Sequence, residues 1–219
     1  MYTSSVENKC DVDVVVFDFA KAFDSVNHKL LLHKLISYGF NNYLISWITN
    51  FLSDRSQSVK IGSKYSSVSS VPSGDIQGSV IGPLLFVIFI NDLPEVIRFS
   101  RAFLYADDLK LCSAIKTVND RLNMQVDIGA VADWANAWLL PLCSEKLIHL
   151  HVGNRLDNFT YYCGSCAIKQ SSVVTDLGVG YNNHLSYRPH VESVCKKANS
   201  LCAMIFRCLN RGTPCFLYL

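Results

Sequence analysis

Nothing in this 219-residue chain is apolar for long enough to cross a bilayer. The longest apolar run, Val80 to Ile90, is interrupted by Gly82-Pro83 and falls short of the ~20 residues a span takes, so no membrane role is expected. An excess of either charge is also missing. The formal net charge is +2, which excludes a polycation and leaves any nucleic-acid contact to local patches. Internal repeats, low-complexity tracts and a clear interdomain linker are absent. Nine cysteines, an odd number scattered along a chain with no apolar signal segment at its start, point to a reducing compartment rather than a disulfide framework. Cys163-Gly-Ser-Cys166 is the single CxxC. A structural zinc usually takes two such pairs or added histidines, so a turn between two ordinary thiols is expected there. No basic run is dense enough to choose between nucleus and cytoplasm.

What is present is an apolar half typical of a globular chain, enough for one sizeable core or two small ones. Residues 12–19, rich in Val and Phe, read as a strand covered on both faces, with Asp18 near its C-terminal end. Residues 27–38 read as a helix closed by Gly39. A second helix opens at Asn41-Asn42 and sets Leu44, Ile45, Trp47, Ile48, Phe51 and Leu52 mainly on one face. Residues 55–61 and 65–71 form a hairpin joined by Gly62-Ser63-Lys64, a loop covers 72–78, and Gly82 or Pro83 opens an apolar helix running to about Asn91. A long helix is expected over 117–138, weakened by Gly129, followed by strands at 146–152, 159–162 and 173–179. The last element, about 189–210, carries Val191, Val194, Cys195, Ala198, Leu201, Cys202, Ile205 and Leu209 at helical spacing, and Lys196, Lys197, Arg207 and Arg211 make it basic. Such a helix either faces the core with a solvated charged side or faces nucleic acid. Helices and strands in this non-repeating order predict an α+β layer rather than a doubly wound sheet.

Tyr105-Ala106-Asp107-Asp108 lies between two apolar runs, at the tip of a strand-turn-strand. Adjacent ionised carboxylates repel unless a cation compensates, and magnesium takes one or two carboxylates together with phosphate oxygens and water. A solvated Asp-Asp turn accounts for the tetrapeptide taken alone. Were neighbouring strands to bring Asp18 beside Asp107 and Asp108, three carboxylates could hold two divalent ions about 3.5–4 Å apart, the arrangement of polymerases and nucleases.

The choice between those rests on resemblance. Phe17-Asp18-Phe19-Ala20-Lys21-Ala22-Phe23-Asp24-Ser25-Val26 resembles the first palm motif of the reverse transcriptases of non-LTR (LINE-type) retrotransposons. Pro72-Ser-Gly74-Asp-Ile-Gln77-Gly78-Ser79 through Phe86, continuing to Ile90-Asn91-Asp92-Leu93, resembles the second, and Tyr105 to Asp108 the third. Trp134 to Trp138 with Leu140-Pro-Leu142-Cys-Ser-Glu-Lys146 resembles the fourth, and Asp176-Leu177-Gly178-Val179 with the basic helix after it resembles the primer-grip and early thumb region. The motifs keep the family's order and cover nearly all of the chain.

The resemblance implies a right-hand polymerase palm, an antiparallel sheet packed on helices, with partial fingers over 1–180 and a truncated start of the thumb over 181–219. It makes Asp18, Asp107 and Asp108 the catalytic metal ligands, with the Phe19 carbonyl as an extra ligand and magnesium or manganese as cofactor. Phe23 matches the bulky residue that crowds a nucleotide's 2′-position, although a core aromatic also explains it. Gln77 and Gly78 match the loop beside incoming nucleotide and template, although a simple turn also explains Gly78. Lys146 matches a lysine near the triphosphate, and Lys196 and Lys197 fall on the nucleic-acid-facing helix. RNA template, DNA primer and deoxynucleoside triphosphates are the implied partners.

Two departures stand out: Asp75-Ile76 where Val-Pro is usual, and Cys143 where Asn is usual. The family's fingers motifs, an endonuclease domain and a cysteine-rich tail are not in the sequence, so the chain is expected to be a piece of a longer polyprotein or a truncated copy. An active polymerase and an inactive, nucleic-acid-binding remnant are both compatible with that. A two-metal nuclease would leave the Gln-Gly-Ser and Leu-Gly-Val segments to be explained separately.

Overall fold

The computed structural model describes residues 10–153 and 159–210. Its centre is β1 (Asp11–Phe17), buried on both faces as its near-continuous apolar run requires. Helices α1 (His28–Ser37) and α2 (Asn42–Leu52) follow. Asn27 and Asn41 cap them, accepting from the Leu30 and Leu44 N–H groups at 3.1 and 2.8 Å, and Gly39 closes α1 at φ +79°. The expected hairpin is present but interrupted. β2 (Ser56–Gln57) pairs with β5 (Ser69–Ser70) and β3 (Lys60–Ile61) with β4 (Lys64–Tyr65), so Gly62-Ser63 alone make the turn. The wholly exposed, Ser-rich sequence has no buried face to hold a continuous ladder.

Helix α3 (Gly82–Ile90) leads through a 3-10 turn at Leu93–Val96 to β6 (Arg101–Tyr105) and β7 (Asp108–Ile115). Then come α4 (Val118–Ala137) and β8 (Ile148–Val152), two small hairpin strands β9 (Tyr162–Cys163) and β10 (Cys166–Ala167), and β11 (Lys169–Gln170). Cys163 and Cys166 face each other across the β9–β10 turn. The strand expected over 173–179 is instead split: β12 (Val173–Asp176) turns at Leu177-Gly178 into β13 (Val179–Asn182). Both turn residues have positive φ, which ends a strand whatever its apolar content. Helix α5 (Arg188–Asn210) is last.

The main sheet runs β11-β8-β1-β7-β6, antiparallel except for β11 on β8. On one face Val15 and Phe17 pack against Phe86, Phe89, Met124, Ile128 and Trp134 from α3 and α4. On the other, Val12 and Val14 join Cys112, Leu150, Val174 and Tyr181 beneath the β12–β13 hairpin. Truncating a core aromatic such as Phe86 or Phe89 would cost about 3–5 kcal/mol. This is the α+β palm architecture, an antiparallel sheet on helices.

Two buried charges organise the core. Asp13 accepts from Tyr161 Oη at 2.7 Å, lies 2.6 Å from His151 Nδ1, and has Arg121 Nε 3.5 Å away. Burial alone would raise its carboxyl, but the histidines His149 and His151, with Tyr161, hold it well below the usual carboxylate range. Lys34 bonds Asp92 at 2.6 Å, and its ammonium sits 3.5 Å over the Trp138 ring, while Trp134 Nε1–H donates to the same Asp92 oxygen at 3.0 Å. One cation thus joins α1 to the Ile90–Leu93 and Trp134–Trp138 motifs.

Candidate active site

The β6–β7 ladder ends at Tyr105 opposite Asp108, leaving Ala106-Asp107 as a two-residue turn. Ala106 takes φ +50°, a conformation that costs a residue with a side chain about 1–2 kcal/mol. The last β1–β7 pair is Phe17 opposite Leu109, so one further step of the register sets Asp18 across from Asp108. Burial and then the negative charges of Asp107, Asp176 and Asp18 push the Asp108 carboxyl up, so three further carboxylates act on Asp108. Asp176, which the sequence placed in the primer-grip segment and not among the carboxylates, is one of them. It ion-pairs with Lys110, and its hairpin and Tyr105 flank a cavity of about 280 Å³ that includes Asp108. Sequence reasoning missed Asp127. It is fully buried on α4 and accepts the backbone N–H groups of Arg98, Phe99 and Ser100 at 2.9, 3.0 and 2.5 Å, which fixes the entry into β6.

Beyond Phe17 the chain clasps residues 141–143. Ala20 N–H donates to Pro141 O and Cys143 N–H to Asp18 O, both at 2.8 Å. These bonds bracket the Phe19–Leu142 bridge, so the Phe19 carbonyl points away from Leu142. The Phe19 ring is buried edge-on to Trp134 and plays no part in the site surface. A 3-10 turn at Ser144–Lys146 then brings Lys146 Nζ to 2.9 Å from Asp18 Oδ2. Its hydrogen bond to Asp18 holds the Lys146 ammonium above its ordinary pKa. The lysine therefore contacts a proposed metal ligand directly, rather than standing apart on the surface.

Phe23 is half-buried and stacks on Phe86, centroids 4.3 Å apart, so it is both a core aromatic and a wall. The 72–78 loop is strapped over its turn. Asp75 N–H donates to Phe23 O at 2.7 Å, Gly74 N–H to Val26 O at 2.8 Å, and Gln77 Nε2 to Asp24 Oδ1 at 3.0 Å. Gly74 is required here: φ is +92°, and a Cβ would stand 2.7 Å from the Asp24 carbonyl oxygen. Gly78 also has positive φ, but open space surrounds it, as in a simple turn. Asp75 spends one carboxylate oxygen on the Ile76 N–H at 3.1 Å and buries the other without a partner, and burial raises its carboxyl. Loop and turn border a polar cavity of about 690 Å³ that also includes Lys21, His28 and Arg55.

Lys196 and Lys197 are exposed on α5, which meets the body at β13. No hydrogen bond or ion pair among the described residues links either lysine to the carboxylates. The apolar stripe of α5 does not face the core: Val191, Val194, Leu201, Ile205 and Leu209 are all exposed. Arg211 lies outside the described residues.

Among the described residues, no group of three or more His, Cys, Asp or Glu side chains is arranged to hold a metal ion unaided. The donor chemistry is nevertheless that of a hard cation: oxygen ligands only, mutually repelling, with substrate phosphate and water left to complete the shell.

A fold of this kind, with carboxylates at the ends of β1 and the β6–β7 turn, defines a polymerase palm. The chain belongs to the reverse transcriptase (RNA-dependent DNA polymerase) family, whose model matches residues 4–181. It is 26% identical over 206 residues to the RNA-directed DNA polymerase from mobile element jockey of Drosophila melanogaster, covering 87% of this chain and 22% of that protein. It is 27% identical over 210 residues to the probable RNA-directed DNA polymerase from transposon BS of the same organism, covering 91% of this chain and 23% of that protein. The chain thus spans less than a quarter of the length of these relatives. Among solved structures, apo telomerase from Candida tropicalis, truncated from its C-terminal domain, matches with a TM-score of 0.58 at 14% identity, covering 84% of this chain and 37% of that one. That likeness is one of fold.

Proposed function

We propose that the chain is the palm, with part of the fingers over 1–180 and the start of the thumb over 181–219, of an RNA-directed DNA polymerase from a non-LTR retrotransposon. The reaction is template-directed transfer of a deoxynucleoside monophosphate to a primer 3′-hydroxyl, with RNA template, DNA primer and deoxynucleoside triphosphates as partners. The observation that carries this reading is the strand register that converges Asp18, Asp107 and Asp108 at one end of a sheet. Bound magnesium or manganese would activate the 3′-hydroxyl and offset charge on the transferred phosphoryl group. Asp18, Asp107 and Asp108 would hold it, with the Phe19 carbonyl as an extra ligand.

The remaining residues position substrate. Lys146, bonded to Asp18, would turn its ammonium to the triphosphate that these carboxylates face. Phe23, stiffened by Phe86, crowds the 2′-position and disfavours ribonucleotides. Gln77 and Gly78 border the nucleotide and template from the strapped loop. Lys196 and Lys197 contact the nucleic-acid backbone from α5.

Primer extension on an RNA template, with and without magnesium, tests this. Metal-dependent extension is expected from the folded chain or from a longer active chain containing it, and each of Asp18→Asn, Asp107→Asn and Asp108→Asn abolishes it. Activity retained in all three variants would sink the site assignment. Shortened rather than extended strands would establish a nuclease instead.

A further inference from the structure

Helix α2 presents two unlike sides. Ile48 and Leu52 are buried in the core, whereas Tyr43 is 90% and Trp47 53% exposed. Tyr43, Trp47 and Phe51 follow one another at four-residue spacing, one helical turn apart on one face. The Trp47 and Phe51 rings lie nearly parallel, at 13° with centroids 5.9 Å apart, and the Arg55 guanidinium continues the row 5.9 Å from the Phe51 ring. Arg55 in turn borders the 690 Å³ polar cavity that Gln77 and Lys21 line. No residue of α2 is charged. Its aromatic row therefore runs from the exposed Tyr43 and Trp47, through the half-buried Phe51 that also packs against the core, to a cation at the mouth of the proposed substrate site.

We propose that this row is a stacking track for a single-stranded stretch of nucleic acid, the RNA template in the polymerase reading on which the inference rests. Flat, parallel rings suit bases of any sequence, because every base has a π-face, and a cation at the end of the row suits the backbone. Charge complementarity favours nucleic acid over a protein partner. Arg55, Lys60 and Lys64 gather on the exposed segment just beyond the row, against the single acid Asp54. Continuity with the cavity beneath the Gln77 loop gives the strand a destination, which a protein-docking patch would not need.

The test needs neither nucleotide triphosphates nor metal, so its outcome is independent of catalysis. A fluorescein-labelled oligouridine of about 12 nucleotides, within the range of one single-strand site, is titrated with the chain and followed by anisotropy. Tryptophan fluorescence is read in parallel, since Trp47 is the exposed one of three tryptophans, Trp134 being buried and Trp138 partly so. Binding with quenching is expected. Trp47→Ala and Tyr43→Ala each weaken it about fivefold to a hundredfold, Trp47→Phe retains it, and Arg55→Ala lowers its salt dependence. Trp47 and Tyr43 are exposed enough that these changes, including loss of the Trp47–Phe51 stack, lower the melting temperature by no more than about 6 °C. Equal affinity in Trp47→Ala and Tyr43→Ala overturns the proposal. So does self-association of the chain that is lost in Trp47→Ala while RNA affinity is unaltered, which would assign the face to a protein partner. Track binding without primer extension counts against the polymerase reading alone.

Discussion

Replacing Asp127 by alanine removes the acceptor that three consecutive backbone N–H groups share at the entry to β6. A hydrogen bond to a charged group contributes about 1.5–3 kcal/mol net, so three summed independently would give more than the site can deliver. Phe99 is 54% exposed, and water can re-solvate part of the freed segment. We therefore expect a loss of about 3 kcal/mol for Asp127→Ala and roughly half of that for Asp127→Asn, which keeps one carbonyl acceptor. In a chain of this size the alanine variant should melt about 6–12 °C lower. Equilibrium urea unfolding followed by circular dichroism measures both. A loss below about 1 kcal/mol in the alanine variant, or an asparagine variant no better than alanine, would refute the claim that this carboxylate fixes the strand leading to Asp107 and Asp108.

Two further predictions concern the strapped loop. Gly74→Ala combines a left-handed backbone with a Cβ 2.7 Å from Asp24 O, so a loss of at least about 2 kcal/mol is expected in the same unfolding assay; a change within error would mean the loop shifts freely. Burial raises the folded-state pKa of the Asp75 carboxyl above its ordinary 3.8, so its stabilising contribution is complete below that value and is lost as pH rises through the folded pKa. Asp75→Asn lacks this dependence, and its stability relative to the parent should therefore climb as pH is raised from 3 towards 7. A difference that stays constant with pH would refute it.

What the sequence disclosed and what it concealed divide along a physical line. Asn41 announced a helix start because a cap is a local interaction, complete within three residues, whereas Asn27, read only as the first residue of a helix, proves to be the cap of the other. The doubly covered β1 was legible from its Val run, and the carboxylate turn from two acids where packing had no use for them. The split of residues 173–179 was not legible, because Leu177 at φ +46° gives no compositional warning beyond the single Gly178. The apolar stripe of α5 was legible as a stripe, yet periodicity states only that a face is apolar and not what covers it. Asp127 was missed, and Asp176 was read only as part of the primer-grip segment, because their partners lie 27 or more residues away, and a lone acid on a helix or strand carries no signal of a distant partner.

The Lys34 cluster explains why several of the motifs occur together. Asp92 follows the apolar helix α3, Trp134 and Trp138 sit near the end of α4, and Lys34 lies on α1, in three segments that sequence reading treats separately. In the fold one carboxylate oxygen of Asp92 accepts from both the Lys34 ammonium and the Trp134 indole, and Trp138 covers the cation. A buried ammonium without those partners would be costly, and burial does press the Lys34 pKa down despite them. Trp134 in turn abuts Phe19, the residue after Asp18, so the cluster supports the same end of β1 that carries the first carboxylate. The motif spacing is thus set by packing beneath the site as much as by chemistry at its surface. Variation in Trp134 or Asp92 should therefore disturb the position of Asp18 without touching any substrate.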